Sequence, residues 1–279
     1  MSCEGNKMNV LSLFDGISCA RVALDRAGIK VNAYMASEIE KNAIKISNKN
    51  HPDIIRVGSV VDLEVEGQID LLIGGSPCQD LSIAKKERKG LGGDRSGLFW
   101  EYARIKKECK PQWFILENVA SMPKADRDII TEEMGVEPVM FNASLVSAQS
   151  RKRLFWTNIP FTLPEDRGIL LKDILEEDVD ERFYFTGKIG SSQANRVRDF
   201  SGKSVTLSAH GGGAGAKTGL YQSNDRIRKL TPIECERLQG LPDNYTEGVA
   251  ITHRYKCLGN AFNVDVVAHI LSRVKLMYA

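Results

Sequence analysis

The stretch Ile69-Asp70-Leu71-Leu72-Ile73-Gly74-Gly75-Ser76-Pro77-Cys78-Gln79 decides the fold class. Residues 69–73 form a short apolar run with one acid, which is typical of a buried strand in a parallel sheet covered on both faces. Two glycines end the run, and a proline then restricts the backbone just before a cysteine. The stretch therefore predicts a thiol at the carboxyl end of a central strand, where ligands bind in open α/β sheets. A cysteine alone is more often an inert buried thiol, so its neighbours must decide.

Composition allows one large domain, or one large and one small, in 279 residues of which 42% are hydrophobic and 27% charged. No apolar run approaches the roughly 18 residues of a membrane span, and residues 1–7 do not have the pattern of a signal peptide. The six cysteines form no C-x-x-C pair and no Cys/His cluster. This spacing argues against structural zinc or a disulfide framework, and it predicts a cytoplasmic protein without a metal.

Positive charge is concentrated in the third quarter of the chain. Residues 181–229 carry nine Lys/Arg against three Asp/Glu, a net +6, so the remainder of a chain with net charge +2 carries −4. A basic segment on a mildly acidic body predicts a face turned toward a polyanion. The alternative is a solvated surface rich in loops.

The first 40 residues have the layout of a cofactor-binding half. A strand at 10–14 is followed by a tight turn with Gly16, a helix over 19–27 that Gly28 closes, and a second strand over 31–36. Glu38 then stands 22 residues after Gly16, where an acid can accept hydrogen bonds from ribose hydroxyls. The turn has one glycine where a dinucleotide fingerprint has three, which favours a nucleoside cofactor without phosphates.

The rest of the chain continues an α/β pattern. Further helices are predicted at 44–50 and 98–109, after Thr231-Pro232, and at 264–276, and further strands within 53–61, at 113–116, within 136–145 and at 154–156. Glu117 follows the strand at 113–116, and Arg151 and Arg153 project to one side if their segment is extended. Five basic residues and three glycines within 85–95 predict either a lid over an anionic substrate or a mobile surface loop.

A thiol, a carboxyl group and two arginines at one sheet edge make a coherent site for attack on an electron-poor pyrimidine. Cys78 is a soft nucleophile, and a buried carboxylic acid such as Glu117 can donate to a ring nitrogen. An arginine can hold an exocyclic oxygen or a phosphate, and it also lowers the pKa of a nearby thiol.

Six motifs occur in the order found in cytosine-5 DNA methyltransferases, and the resemblance extends from about residue 10 to 271. They are F-D-G-I-S (14–18), G-G-S-P-C-Q (74–79), E-N-V (117–119), Q-S-R-K-R (149–153), R-L-Q-G-L-P-D-N-Y (237–245) and G-N-A-F-N-V (259–264). The sequence around Cys78 resembles the small catalytic domains of the de novo eukaryotic branch. The compactness of the chain resembles bacterial or phage members. The resemblance implies a Rossmann-like S-adenosylmethionine-dependent methyltransferase fold with a mostly parallel sheet and a small target-recognition domain.

The resemblance also implies the roles of individual residues. Cys78 attacks carbon 6 of cytosine, Glu117 binds ring nitrogen 3, Arg153 contacts the cytosine oxygen and Glu117, and Arg151 lies near Cys78 and a backbone phosphate. The residues expected around S-adenosylmethionine are Phe14, Asp15, Gly16, Ile17, Glu38, Ile39, Ser59, Val60, Pro77, Leu98, Asn260 and Ala261. Those expected to contact the nucleic acid are Ser76, Gln79, Asn118, Arg226 and Arg228. Ser59 stands where the family often has aspartate, and Ile39 where some members have an aromatic residue.

The resemblance divides the chain into a catalytic domain (1–157), a target-recognition region (158–246) and a return to the catalytic domain (247–279). The glycine-rich run at 210–218 narrowly fails as a phosphate-binding loop, because Ala216 replaces the required glycine. Double-stranded DNA is the expected partner, with a short site for which analogy suggests CpG. Methylation of a transfer RNA, a non-catalytic regulatory role, a homo-oligomer and a cognate restriction enzyme are left open.

Overall fold

A computed structural model describes residues 7–61, 63–77, 96–186, 196–210, 215–223 and 225–278. Within these ranges a seven-stranded sheet forms the centre of the protein. Its strands are β1 (Met8–Leu13), β2 (Val31–Ser37), β3 (Ile55–Gly58), β4 (Leu71–Gly74), β5 (Trp113–Val119), β6 (Val139–Asn142) and β7 (Lys152–Thr157). The order across the sheet is β3-β2-β1-β4-β5-β7-β6, and β7 runs antiparallel to both of its neighbours. The predicted mostly parallel α/β sheet is confirmed.

Helices cover both faces of this sheet. They are α1 (Cys19–Ala27), α2 (Lys41–Asn50), α3 (Phe99–Cys109), α4 (Lys124–Met134), α5 (Pro232–Leu238), α6 (Ile251–Asn260) and α7 (Val264–Tyr278). One apolar cluster joins the sheet to α1, α2 and α5–α7, and a second joins it to α3 and α4. None of the described helices is long and apolar enough to span a membrane.

The central strand β4 shows how the apolar run is used. Leu71 and Ile73 pack into the first cluster and Leu72 into the second, because successive side chains of a strand point to opposite faces. The strand begins two residues later than predicted. Asp70 precedes it, and its carboxylate accepts a 2.8 Å hydrogen bond from the backbone N–H of Asn9. The single acid in the run therefore pairs with the start of β1 without entering the core.

Capping residues in the sequence determine where α1 ends and where α5 begins. Gly28 ends α1 with φ +70°, a left-handed conformation that glycine adopts without steric cost. At the start of α5, the Thr231 hydroxyl accepts from the N–H of Glu234, and the Glu234 carboxylate accepts from the N–H of Thr231. These two bonds form a capping box, and the helix predicted after Thr231-Pro232 is present.

Strand β5 is longer than predicted, and this matters for the site. The strand was expected to end at Leu116, where its pairing with β4 does end. Antiparallel pairing with β7 continues on the other side as far as Val119. Glu117 and Asn118 are therefore strand residues that extend past the end of β4. The strand predicted within 136–145 is shorter, since residues 143–145 form a 3-10 turn.

A second, small sheet lies in the segment predicted to recognise DNA. It consists of β8 (Val197–Arg198), β9 (Leu220–Ser223) and β10 (Arg226–Arg228), in the order β10-β9-β8. Leu220 and Tyr221 of β9 are fully buried, and Tyr221 stacks on Phe200. The predicted domain boundaries remain predictions, although α5, inside the predicted recognition region, already packs in the same apolar cluster as α1 and α7.

Candidate active site

The predicted cofactor and catalytic residues follow strands that run in the same direction. Gly16 lies after β1, Glu38 after β2, Ser59 after β3 and Ser76 after β4, and these four strands are mutually parallel. Their carboxyl ends therefore meet at one edge of the sheet. Cys78 and Gln79 lie outside the described residues, so the description of the loop after β4 ends at Pro77, which is half-buried.

Glu117 and Arg153 form an ion pair at this edge. Glu117 is opposite Phe155 and Arg153 is opposite Val119, so the two side chains are diagonal neighbours on one face of the β5–β7 pair. Arg153 Nε lies 2.7 Å from Glu117 Oε1, and the side chains are only 15% and 13% exposed. The structure brings this predicted pair together. The charge-assisted contact fixes the direction of the carboxyl group.

Ser76 and Asn118 hold the loop that leads toward Cys78. Asn118 Nδ2 donates to Ser76 Oγ at 3.1 Å and to the Ser76 carbonyl oxygen at 3.4 Å. Asn118 is 1% exposed and Ser76 is 4% exposed. Their polar groups bind each other beneath the surface, and their predicted contact with the nucleic acid stays a prediction. The arrangement ties the turn after β4 to β5.

Arg151 is buried among backbone carbonyl groups. Its guanidinium donates to Leu207 O at 3.1 Å and to Gly259 O and Ala261 O at 3.0 Å each, and the residue is 3% exposed. A phosphate would have to displace these bonds in the interior, and the predicted contacts of Arg151 with Cys78 and a phosphate stay predictions. Arg151 joins the segment around Leu207 to the end of α6.

Glu38 organises the turn after β1. Its Oε2 accepts from the N–H of Gly16 at 2.8 Å, and its Oε1 accepts from the N–H groups of Ile39 and Glu40 at 2.8 Å each. A carboxylate has about four acceptor positions, so three backbone bonds leave one for a ribose hydroxyl. The Ile39 side chain is 72% exposed beside it. An acceptor next to an open apolar side chain fits a nucleoside, and these residues fit the predicted cofactor.

Asp15 and Ile17 support the same turn from below. The Asp15 carboxyl group accepts a 2.7 Å hydrogen bond from the Tyr34 hydroxyl and a second bond from Ser18. Burial raises the pKa of Asp15 above its usual value of 3.8. Ile17 is 1% exposed. Both side chains point into the core, so any contact with the cofactor would fall to their backbone atoms, and the predicted contact stays a prediction. Phe14, with φ +56°, lies at the turn.

The other predicted cofactor residues lie near strand and helix ends. Ser59 is exposed and its hydroxyl accepts from the N–H of Val61, while Val60 is buried. Leu98 immediately precedes α3 and is half-buried. Asn260 ends α6 and is exposed, and Ala261 is buried just after it. Their contact with the cofactor stays a prediction.

Comparison with known proteins decides the family. The model of the C-5 cytosine-specific DNA methylase family matches residues 8–188 and 178–276. The chain is 30% identical over 309 residues to the type II methyltransferase M1.ScrFI of Lactococcus lactis subsp. cremoris, covering 96% of this chain and 78% of the relative. It is 28% identical over 310 residues to the type II methyltransferase M.HhaI of Haemophilus parahaemolyticus, covering 94% and 93%. The chain belongs to the C-5 cytosine-specific DNA methylase family.

Solved structures show the same fold. The Entamoeba histolytica methyltransferase EhMeth superposes with a TM-score of 0.79 at 16% identity, covering 98% of this chain and 99% of the other. The Dnmt2 methyltransferase of S. pombe superposes with a TM-score of 0.76 at 19% identity, covering 97% and 99%. The predicted methyltransferase fold is confirmed. Members of this family use S-adenosylmethionine, and this chain is a cytosine methyltransferase by family. Within the described residues, no group of three or more His, Cys, Asp or Glu side chains could hold a metal ion.

The two arginines predicted to contact the nucleic acid, Arg226 and Arg228, have different surroundings. Arg228 is 2% exposed, and its guanidinium binds both carboxylate oxygens of Glu234, at 2.8 and 2.7 Å. This buried bidentate pair directs Arg228 toward Glu234, and its predicted contact with DNA stays a prediction. Arg226 is exposed, pairs with Glu181 and lies 3.8 Å over the Tyr184 ring. Its DNA contact remains a prediction.

The sequence analysis assigned no role to a buried polar cluster formed by Gln149 and Gln239. Gln149 Nε2 donates to Leu238 O and Gln239 Oε1, and Gln239 Nε2 donates to Leu258 O and Ala261 O. Both glutamines are fully buried. They lie in the motifs at 149–153 and 237–245, and this position was the feature of the sequence that could have indicated their importance. The cluster connects the loop before β7, α5 and the end of α6.

Proposed function

We propose that the protein transfers the methyl group of S-adenosylmethionine to carbon 5 of a flipped-out cytosine in double-stranded DNA, through a covalent bond between Cys78 and carbon 6. The observation that carries the proposal is the Glu117–Arg153 pair at the edge where the loop to Cys78 and the Glu38 turn also lie. When bound, the cofactor supplies an electrophilic methyl group. The nucleophile and the groups that bind the cytosine ring are side chains of this chain.

The chain provides a nucleophile and a group for the ring. The Cys78 thiolate forms a bond to carbon 6, and electron density then moves toward carbon 5 as Glu117 hydrogen-bonds or protonates ring nitrogen 3. Arg153 holds the Glu117 carboxyl group in place and can donate to the cytosine oxygen. After methyl transfer, a base removes the carbon-5 proton and the bond to sulfur breaks. The target must leave the base stack first, at a cost of a few kcal/mol.

The thiols that lie within the described residues are poor nucleophiles for this chemistry. Cys19, Cys235 and Cys257 are buried, and burial raises the pKa of each; burial also raises the pKa of Cys109. A thiol with a raised pKa supplies little thiolate at neutral pH. None of these four described thiols therefore competes with Cys78, which the motif at 74–79 designates as the nucleophile.

The experiment compares substrates and traps the adduct. Purified protein is incubated with cofactor labelled in its methyl group and with duplex DNA or transfer RNA, and bisulfite sequencing locates the modified cytosines. Duplex DNA carrying 5-fluorocytosine at that position should become covalently attached, because carbon 5 then has no proton for a base to remove and the bond to sulfur does not break. Cys78→Ala should prevent attachment and turnover, whereas Met140→Ala, at an exposed position of the edge strand β6, should retain both. Labelling of transfer RNA without labelling of DNA would refute the DNA proposal.

The type II names of the relatives also support a protein that acts beside a restriction enzyme, in the cytoplasm and on DNA. Protection of DNA from cleavage after methylation in vitro would test this. If no endonuclease is blocked at the methylated sequence, the restriction pairing is refuted while the methyl transfer stands.

A further inference from the structure

Two side chains converge on Gly75, the residue after β4. A Cβ atom built on Gly75 would lie 2.8 Å from Phe262 Cε1, 3.3 Å from Phe262 Cζ and 3.1 Å from Glu117 Oε2. The end of the Phe262 ring and the Glu117 carboxyl group therefore both face the Gly75 backbone. Gly75 is required here by the close approach of its neighbours.

The Phe262 ring is anchored on its own side. Phe262 packs against the apolar cluster of α1, α2 and α7, and its two chain neighbours are held by polar groups. Ala261 O accepts from Arg151, and Asn263 Nδ2 donates to Leu238 O at 2.9 Å. Because the ring is closely packed and its backbone is fixed, it cannot move aside when the Gly75 backbone presses on it.

The opposite side of Gly75 is anchored as well. Ser76 is bound by Asn118, which neighbours Glu117 on β5, and Glu117 is bound by Arg153. Gly75 thus lies between the ring, the carboxyl group and the tethered Ser76. Three residues further along the chain is Cys78.

We propose that Phe262 is a positioning residue, whose ring end holds the Gly75 backbone against Glu117 and thereby sets the separation between the carboxyl group and the loop that carries Cys78. This rests on the proposed function, in which that carboxyl group and that thiol act on the same pyrimidine ring. The ring itself need not touch the substrate. Its contact is mechanical, and its effect should appear in the chemical step.

The test is a double-mutant cycle between Gly75→Ala and Phe262→Leu. The Gly75→Ala methyl meets the ring, and the resulting shift of the loop should lower kcat on the order of 100-fold, as an error of about 1 Å in placement does. Phe262→Leu withdraws the ring atoms, so the double variant should recover kcat by about tenfold over Gly75→Ala alone. The KM values for DNA and cofactor should stay close to those of the wild type.

Thermal unfolding provides the second readout and separates the possible results. Gly75→Ala should lower the melting temperature and Phe262→Leu should restore part of it, whereas Gly202→Ala, whose methyl meets nothing within 4 Å, should leave the melting temperature unchanged. Coupling in both kcat and melting temperature supports the positioning role. Coupling in melting temperature alone makes the contact purely structural and overturns it, as do independent effects in both. A wild type that methylates no DNA refutes the proposed function before any variant is compared.

Discussion

Replacing Arg228 should lower the stability of the protein and should leave the salt dependence of its DNA affinity unchanged. Arg228 and Glu234 are 2% and 0% exposed and share two hydrogen bonds. Arg228→Met leaves the buried Glu234 carboxylate without its cation, which typically costs about 3–5 kcal/mol. For a chain of this size, that corresponds to a fall in melting temperature of roughly 6–20 °C.

A second variant separates lost charge pairing from lost packing. Glu234→Gln removes the unpaired charge and keeps an amide oxygen that can accept the capping bond from the N–H of Thr231. The double variant Arg228→Met/Glu234→Gln should therefore melt several degrees above Arg228→Met alone, by differential scanning calorimetry. Arg226→Met, at the neighbouring exposed arginine, is the matched control and should hardly change the melting temperature.

DNA affinity completes this comparison. If Arg226 contacts a phosphate, Arg226→Met should reduce the slope of log affinity against log salt by about one. Arg228→Met, measured below its melting temperature, should leave that slope unchanged. An Arg228→Met protein with the wild-type melting temperature and weakened DNA binding would refute the structural role and return Arg228 to the DNA interface.

Three other predictions follow from the site. Arg153→Met should lower kcat about 100-fold, because it removes the donor that orients Glu117, while calorimetric binding of the cofactor product stays unchanged; a lost binding signal would contradict this. Glu38→Gln should weaken cofactor binding about 10- to 100-fold, the value of a charge-assisted hydrogen bond, and equal affinity would remove Glu38 from the cofactor site. Since burial raises the folded-state pKa of Asp15, its stabilising contribution is present below pH 3.8 and is lost as pH rises through the folded-state pKa. The free energy of unfolding of Asp15→Asn minus that of the wild type should therefore increase as urea titrations move from about pH 4 to pH 7, and a constant difference would contradict the assignment.

Local patterns predicted most of the elements near the site. The continuous apolar run around Leu71–Ile73 indicated a strand covered on both faces, and the Gly28 and Thr231 signals set the end of α1 and the start of α5. The extension of β5 through Glu117 could not be predicted this way. It depends on pairing with β7, a strand more than 30 residues later in the chain.

The arginines show where prediction from sequence stopped. Motif position indicated the Glu117–Arg153 contact, and the structure has it at 2.7 Å. The same reasoning gave Arg151 a phosphate and Arg228 a contact with the nucleic acid, whereas the structure buries both against protein acceptors. A long cationic side chain can reach several partners, and its burial decides which one it binds.

The amino-acid sequence alone determined the α/β order, the turn glycines and the family, because these depend on short-range periodicity and on motifs that are read directly. The tertiary structure alone decided that Arg151 binds carbonyl groups 56, 108 and 110 residues away, and that Phe262 meets Gly75. The physical reason is that such contacts arise only when distant segments pack, and close packing leaves each buried group a single arrangement.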